Sequence, residues 1–337
     1  MPLSVHPTIP VSRRAHLNGY VHVLERIGAP VERGLEAARL PIEQTGDDTV
    51  VTVQSIFDFV HHMSGREGID NLGVEVGLAV RGRAAQGSLL GMVASAPSLL
   101  QGMRVFSAHA RSESSHMAIG LEDRGDSVSL WHRGPLGHHP AHDQMETYFV
   151  QALVGFVRAF LGPDWLPSTV GLEASRVPER LREAYPHSRF LDRQPVHFIE
   201  IPRVLLGRAP LLPRERIGPA PNTPRSLSDD LPGALTALLE SYVSDRDLSL
   251  DFAAGLVGMS VRTLQRRLRA RGARFKDLVG QARYRVATRL LEEPDVKVID
   301  VAQLVGYDDA SHFARAFRRV AGLGPSEFRL ASRAPAA

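Results

Sequence analysis

The stretch that decides the fold runs from Val305 to Arg319 and reads VGYDDASHFARAFRR. Gly306 and two aspartates predict a tight turn. Asp309 is placed to cap a short helix over 310–320, which Gly322 closes. Phe313 and Phe317 stand four residues apart and form one apolar stripe. Ser311, His312, Arg315, Arg318 and Arg319 are left around the outside. A helix pinned by one stripe and ringed by guanidinium groups is suited to an anionic partner.

Upstream the same grammar appears a second time. Ser249 is a plausible N-cap for a helix through Leu256, Gly258 breaks the chain, and Ser260 caps VRTLQRRLRARG, which ends at Gly272. Within it Val261, Leu264 and Leu268 keep the spacing of a packed face, so Arg262, Thr263, Gln265, Arg266 and Arg269 point elsewhere. A longer helix from Phe275 to Leu291 follows and stops before Pro294; Val298–Leu304 is the next helix. The pattern is therefore helix, glycine turn, helix, occurring twice and joined by one long helix, with a further helix over 235–242 ahead of it.

Charge supports a polyanion-binding reading. The whole chain of 337 residues carries only +3, yet residues 231–337 hold 17 Arg and Lys against 12 Asp and Glu. Residues 260–290 hold ten basic residues and one acid, Asp277. Such a block can be a plain solvated surface, but duplication on two helices favours nucleic acid. In a helix-turn-helix the first helix braces a second, which enters the major groove. Position then sorts the side chains. Arg262, Thr263, Arg266, Ser311, His312 and Arg315, near the helix starts, are candidates for reading bases. Ser260, Arg269, Arg271, Arg274, Arg318 and Arg319, nearer ends and loops, are candidates for holding phosphates.

The C-terminal hundred residues resemble the DNA-binding domain of the AraC/XylS family of bacterial transcription regulators. The resemblance rests on Ala287, Leu290-Leu291, residues 299–302, Gly306-Tyr307, Ser311, Phe313 through Arg319, Gly322, and Pro325 through Arg329. It implies an all-α domain of seven helices whose two helix-turn-helix units enter successive major grooves. Carried onto this chain, its base-contacting positions are Arg262 and Arg266 in the first unit and Ala310, Ser311 and Arg315 in the second. Ala310 stands where a longer polar residue is usual, so readout there shifts toward phosphates and DNA shape.

Residues 207–232 are proline-rich without an apolar period and read as a linker, which divides the chain into 1–206, the linker, and a DNA-binding domain at 233–332. The first part mixes helical stretches at 17–27, 53–63, 98–109 and 146–160 with a hairpin over 117–131 and strands at 169–174 and 195–201, an α+β composition. It resembles the arabinose-binding-type domain of one AraC subgroup that includes ornithine-use and mycobacterial virulence regulators. The matching features are Leu24–Gly28 before Ala29-Pro30, Ser95-Ala96-Pro97-Ser98-Leu99, Trp165 through Val170, Pro195-Val196-His197-Phe198 and Leu211-Leu212-Pro213. That likeness implies a small-molecule effector and a homodimer, with promoter DNA and RNA polymerase as partners of an activator. Trp131 and Trp165 read as core, and no effector-binding residue is assigned.

The absence of cysteine excludes disulfides and thiolate chemistry and suits a cytoplasmic protein, and no run is long and apolar enough for a membrane span. There is no phosphate loop, nucleophile elbow or dinucleotide fingerprint, so no catalytic residue and no cofactor is expected. One cluster stands apart: His132, His138, His139, His142 and Asp143 fall within 12 residues. Gly134, Pro135, Gly137 and Pro140 make this a loop, and it is expected to be a histidine-rich surface without a metal. Two other readings stay open: a metal-dependent enzyme using that cluster, and an effector-independent regulator whose first domain serves only dimerisation.

Overall fold

The computed structural model describes residues 9–42, 49–79, 96–211, 227–228, 230–244 and 248–333. Residues 212–226 of the expected linker, and Ser95, Leu212 and Pro213 of the motifs above, lie outside the described residues. The chain divides into two compact units. One comprises residues 10–47 and 53–227; the other comprises 228–337 together with the leading segments Met1–Ile9 and Asp48–Thr52.

In the N-terminal unit, strand β1 (Val11–Arg13) leads into helices α1 (Asn18–Arg26), α2 (Val31–Ala37), α3 (Val53–Glu67) and α4 (Leu72–Ala79). Helix α5 (Leu99–Glu113) begins at the Ser98 cap, whose hydroxyl accepts the Gln101 N–H. Strands β3 (Ala118–Asp123) and β4 (Ser127–Arg133) make the expected hairpin, turning at Gly125. Helix α6 (His142–Leu161), strand β5 (Thr169–Gly171), helix α7 (Glu179–Ala184) and strands β6 (Arg189–Leu191) and β7 (His197–Pro202) complete it. The sheet order is β3-β4-β7-β5-β6, antiparallel except for the β5-β6 pair. Leu130, Val170, Ile199 and Ile201 from the sheet meet Leu99 and Met103 of α5 and Val150, Leu153, Val154, Val157 and Phe160 of α6 in one buried core. Each such large side chain contributes about 1.5–3 kcal/mol by leaving water.

Two departures from the sequence expectation lie around Glu146. The strand expected over 169–174 ends at Gly171, and α6 starts one turn before Glu146. Glu146 is buried on α6, and its carboxylate accepts the backbone N–H groups of Glu173 and Ala174. Those donors are thus taken from the ladder. Helix α4 is held close to α6 by a polar clasp: Gln144 Oε1 accepts the Gly73 N–H at 2.8 Å, while Gln151 Nε2 donates to the Val74 carbonyl at 3.1 Å.

The C-terminal unit is helical. Helix α8 (Leu231–Glu240) starts four residues before the predicted one, because Asp230 caps it by accepting the Gly233 N–H and a proline fits its first turn. Then come α9 (Leu250–Leu256), α10 (Val261–Arg269), α11 (Phe275–Glu292), α12 (Val298–Leu304), α13 (Ala310–Ala321) and α14 (Pro325–Arg333). Strand β2 (Val50–Thr52) packs on α8 within this unit. The Ser241 hydroxyl accepts the Val50 N–H at 2.9 Å and donates to the Val50 carbonyl at 2.7 Å. Glu240 ties α8 to α11 by taking Arg285 on one carboxylate oxygen at 3.0 Å and Arg289 on the other at 2.9 Å.

Candidate nucleic-acid interface

Two short helices carry the candidate surface, and each is started and stopped by its own sequence. Ser249 accepts the Phe252 N–H to begin α9, and Ser260 accepts the Thr263 N–H to begin α10. Between them Gly258 adopts φ +62°, a conformation that other residues enter only with strain. The second pair repeats this with Gly306 at φ +78°, where an added Cβ would also lie 3.0 Å from the Arg283 guanidinium and 3.1 Å from the Val243 carbonyl. Asp309 then accepts the N–H groups of Ser311 and His312 to begin α13. Those two backbone bonds, the first foremost, hold the Asp309 carboxyl below its ordinary range.

Burial separates the two faces of each helix. On α10, Leu264 and Leu268 are buried, whereas Arg262, Arg266 and Arg269 are exposed and Thr263 is half-buried beside the cap. On α13, Phe313 and Phe317 are buried, while Ser311, His312, Arg315, Arg318 and Arg319 are exposed and Ala310 is half-buried. Phe317 touches the rings of Tyr284 on α11, Phe313 and Phe328 on α14, with centroids 5.1 to 5.6 Å apart. Both helices are thus anchored by apolar side chains and present guanidinium groups to solvent.

The arginines are not equivalent. Arg262, Arg266, Arg269, Arg274, Arg315 and Arg319 have no side-chain hydrogen bond or ion pair among the described residues. Arg271 bonds the Arg267 carbonyl at 3.2 Å, and Arg318 pairs with exposed Glu327 at 3.4 Å. Glu327 also caps the Gly324 N–H, and that bond, then Arg318, holds its carboxyl below the usual range. Three members of the basic block are engaged by partners within the unit: Arg285 and Arg289 hold Glu240, and Arg283 stacks over Tyr307 at 5.1 Å. The plain structural reading of the block therefore holds for its C-terminal third, and the unengaged cations concentrate on α10 and in the loop after it.

The histidine-rich loop was expected to be a surface, and its members take separate partners, His132 away from the surface. His139 accepts the Ala141 N–H and bonds Asp58 at 3.0 Å. His132 is buried, with Nδ1 2.6 Å from His197 Nε2, its neighbour across the β4-β7 pair. Burial, then the neighbouring His197, holds His132 well below the ordinary imidazole range; burial also lowers His197. His142, at the start of α6, faces Glu173 and Glu146. Burial pushes the Glu146 carboxyl up to about 7, against the two backbone donors that favour its charged form. Glu146 and Glu173 carried no sequence signal beyond the one-turn spacing of His142 and Glu146, and His197 entered only as part of the Pro195–Phe198 motif.

Comparison with known proteins bears on the C-terminal unit. A family described as "Helix-turn-helix domain" matches residues 253–331. The transcriptional activator NphR of Rhodococcus sp is 36% identical over 92 residues, 27% of this chain and 28% of that protein. The ornithine utilization regulator of Pseudomonas aeruginosa is 34% identical over 80 residues, 24% of each chain. The likeness thus spans about a quarter of these relatives. Among solved structures, the DNA-binding domain of the global transcriptional factor AdpA, in complex with a target DNA, is 30% identical, covering 31% of this chain and 93% of that one with a TM-score of 0.27. Among the described residues no helix is long and apolar enough to cross a membrane. Residues 253–331 of this chain are a helix-turn-helix domain of the AraC type.

Proposed function

We propose that this chain is a sequence-specific DNA-binding transcription regulator, a binding protein rather than an enzyme. The pairs α9-α10 and α12-α13 act as two helix-turn-helix units joined by α11, and α10 and α13 enter the major groove. Arg262, Thr263, Arg266, Ala310, Ser311, His312 and Arg315 read bases; Ser260, Arg269, Arg271, Arg274, Arg318 and Arg319 hold phosphates. Residues 1–206 bind a small-molecule effector and pair two copies, and 207–232 link the parts. The observation that carries the reading is the split on both helices between buried Leu264, Leu268, Phe313 and Phe317 and exposed arginines. Only a polyanion makes use of so many unengaged guanidinium groups on two capped, rigidly seated helices.

The test is an anisotropy titration of the full chain against fragments from its bound genomic sites. A cognate fragment should bind about 10³-fold or more tighter than random DNA, and affinity should fall steeply with salt. Arg266→Ala should cost about 1–3 kcal/mol and relax preference at one base pair; Arg319→Ala should weaken every sequence alike and reduce the salt slope by about one. Equal affinity for all fragments defeats the proposal. A thermal-shift screen of amino acids, sugars and fatty acids addresses the effector, since a ligand at 100 times its Kd adds about 2.7 kcal/mol. A silent screen leaves the N-terminal region with pairing alone.

A further inference from the structure

In the N-terminal unit three ligand-type side chains from two parts of the chain converge: His142 in the first turn of α6, Glu146 one turn along the same face, and Glu173 just after β5. Their donor atoms lie within 4.8 Å of one another. We propose that His142, Glu146 and Glu173 bind one divalent transition-metal cation, a site that stands or falls independently of the DNA-binding reading.

Four observations support it. First, the spacing fits: His142 Nε2 and Glu173 Oε2 are 3.9 Å apart. Ligand atoms about 2.0–2.2 Å from a tetrahedral zinc are separated by about 3.4 Å, so closure needs movements of a few tenths of an ångström to about 1 Å. Second, both carboxylates are already oriented by bonds that leave an acceptor site over. Each Glu146 oxygen takes one backbone N–H, from Glu173 or Ala174. Glu173 accepts His197 Nδ1 on Oε1 at 3.3 Å, while Oε2 is the oxygen turned toward His142. Third, His197 is itself held. With its Nδ1–H given to Glu173, its Nε2 accepts from His132 Nδ1–H, so β4, β7, the segment after β5 and α6 are linked in one chain. Bonded ligands backed by a second ring of bonds are how proteins fix a metal site. Fourth, no lysine or arginine lies within ion-pair distance of either carboxylate among the described residues, where the ion-pair partners are imidazoles.

The donor set defines the class of ion. One imidazole and two carboxylates suit zinc, iron(II), cobalt(II), nickel(II) or manganese(II); calcium and magnesium prefer oxygen alone. Access is open, because the His142 and Glu173 side chains are 18% and 25% exposed, while Glu146 forms the buried floor.

The experiment is calorimetric titration of chelator-stripped full-length protein with Zn²⁺, with bound metal counted after dialysis. One equivalent should bind. Glu173→Gln, which keeps the shape, and His142→Ala should each lower affinity by at least about 100-fold, and His197→Ala, a positioning change, by about 10–100-fold. His138→Ala should leave it unaltered. Tryptophan fluorescence and far-UV ellipticity establish that each variant is folded. If one is not, the visible spectrum of the wild-type protein loaded with Co²⁺ decides, with the bands of a nitrogen-and-oxygen site expected. Sub-stoichiometric Zn²⁺, equal affinity in wild type and Glu173→Gln, a Co²⁺ spectrum no different from the free ion, or Ca²⁺ binding as tightly as Zn²⁺ overturns the site. DNA titrations of the same variants keep the two proposals separate.

Discussion

Phe317→Ala tests how the second basic helix is held. Phe317 is 3% exposed, and its ring is the meeting point of α11, α13 and α14. Removing a buried phenyl ring costs about 3–5 kcal/mol, the lost transfer energy plus the cavity left behind. A domain is stable by about 5–15 kcal/mol in all, so the variant keeps a fold with a thin margin. Urea denaturation of the full chain should show this with two probes, because one transition cannot describe two units. Both tryptophans, Trp131 and Trp165, belong to the N-terminal unit, so their fluorescence follows that unit while far-UV ellipticity follows helices in both. The helical transition should weaken by about 3–5 kcal/mol and the fluorescence transition by much less. DNA affinity should drop only in proportion to the unfolded fraction. Arg315→Ala should do the reverse, with affinity lost and stability kept. A helical transition moved by less than about 1 kcal/mol refutes the packing argument.

Three further perturbations have definite outcomes. Gly73→Ala puts a Cβ 1.8 Å from the Gln144 carbonyl oxygen, forcing α4 from α6; it should cost about 1–3 kcal/mol or more in the fluorescence-detected transition, and an unchanged midpoint rejects the close approach. Ser260→Ala removes the α10 cap and should cost about 0.5–2 kcal/mol by urea denaturation, with Ser260→Asn recovering most of it; equal losses in both variants rule out capping. His16 and His132 are held neutral chiefly by burial, with folded pKa values below the unfolded 6.5. The folded unit then binds fewer protons than the unfolded chain, so this stabilisation is complete above about pH 6.5 and is lost as pH falls toward the lowered values. Glu146 works in the opposite sense between 4.5 and about 7. Denaturation midpoints from pH 7.5 to 5.5 should decline, and less so in His132→Phe, whereas parallel profiles would clear His132 of the effect.

The C-terminal helices were legible because each carries its own punctuation: Ser249, Ser260 and Asp309 as caps, Gly258 and Gly306 at positive φ, and leucine or phenylalanine pairs at helical spacing. Local chemistry sufficed there, so exposure of the arginines followed. What the sequence concealed is long-range. Nothing in the basic block distinguishes Arg285 and Arg289 from Arg262 and Arg266 until α8 supplies Glu240. Helix α4 is apolar on nearly every side and has no amphipathic period; α7 and β6 are too short to have one. The histidine loop was expected to be a surface without a metal, and nothing in its sequence signalled that His132 is buried. Chain folding disperses His139 toward Asp58 and carries His142 to Glu146 and Glu173, the second 31 positions away and on another element.

The Ser241 hydroxyl's double grip on Val50 bears on how this protein can be taken apart. The polypeptide threads from one unit into the other and back before α3 begins, so no single cut separates them cleanly. A fragment begun after the proline-rich stretch would keep all seven helices of its unit yet lose the strand that covers α8, uncovering apolar surface and stranding Ser241. Supplying residues 48–52 as a separate peptide should restore solubility and raise the melting temperature of such a fragment, and a scrambled peptide should not.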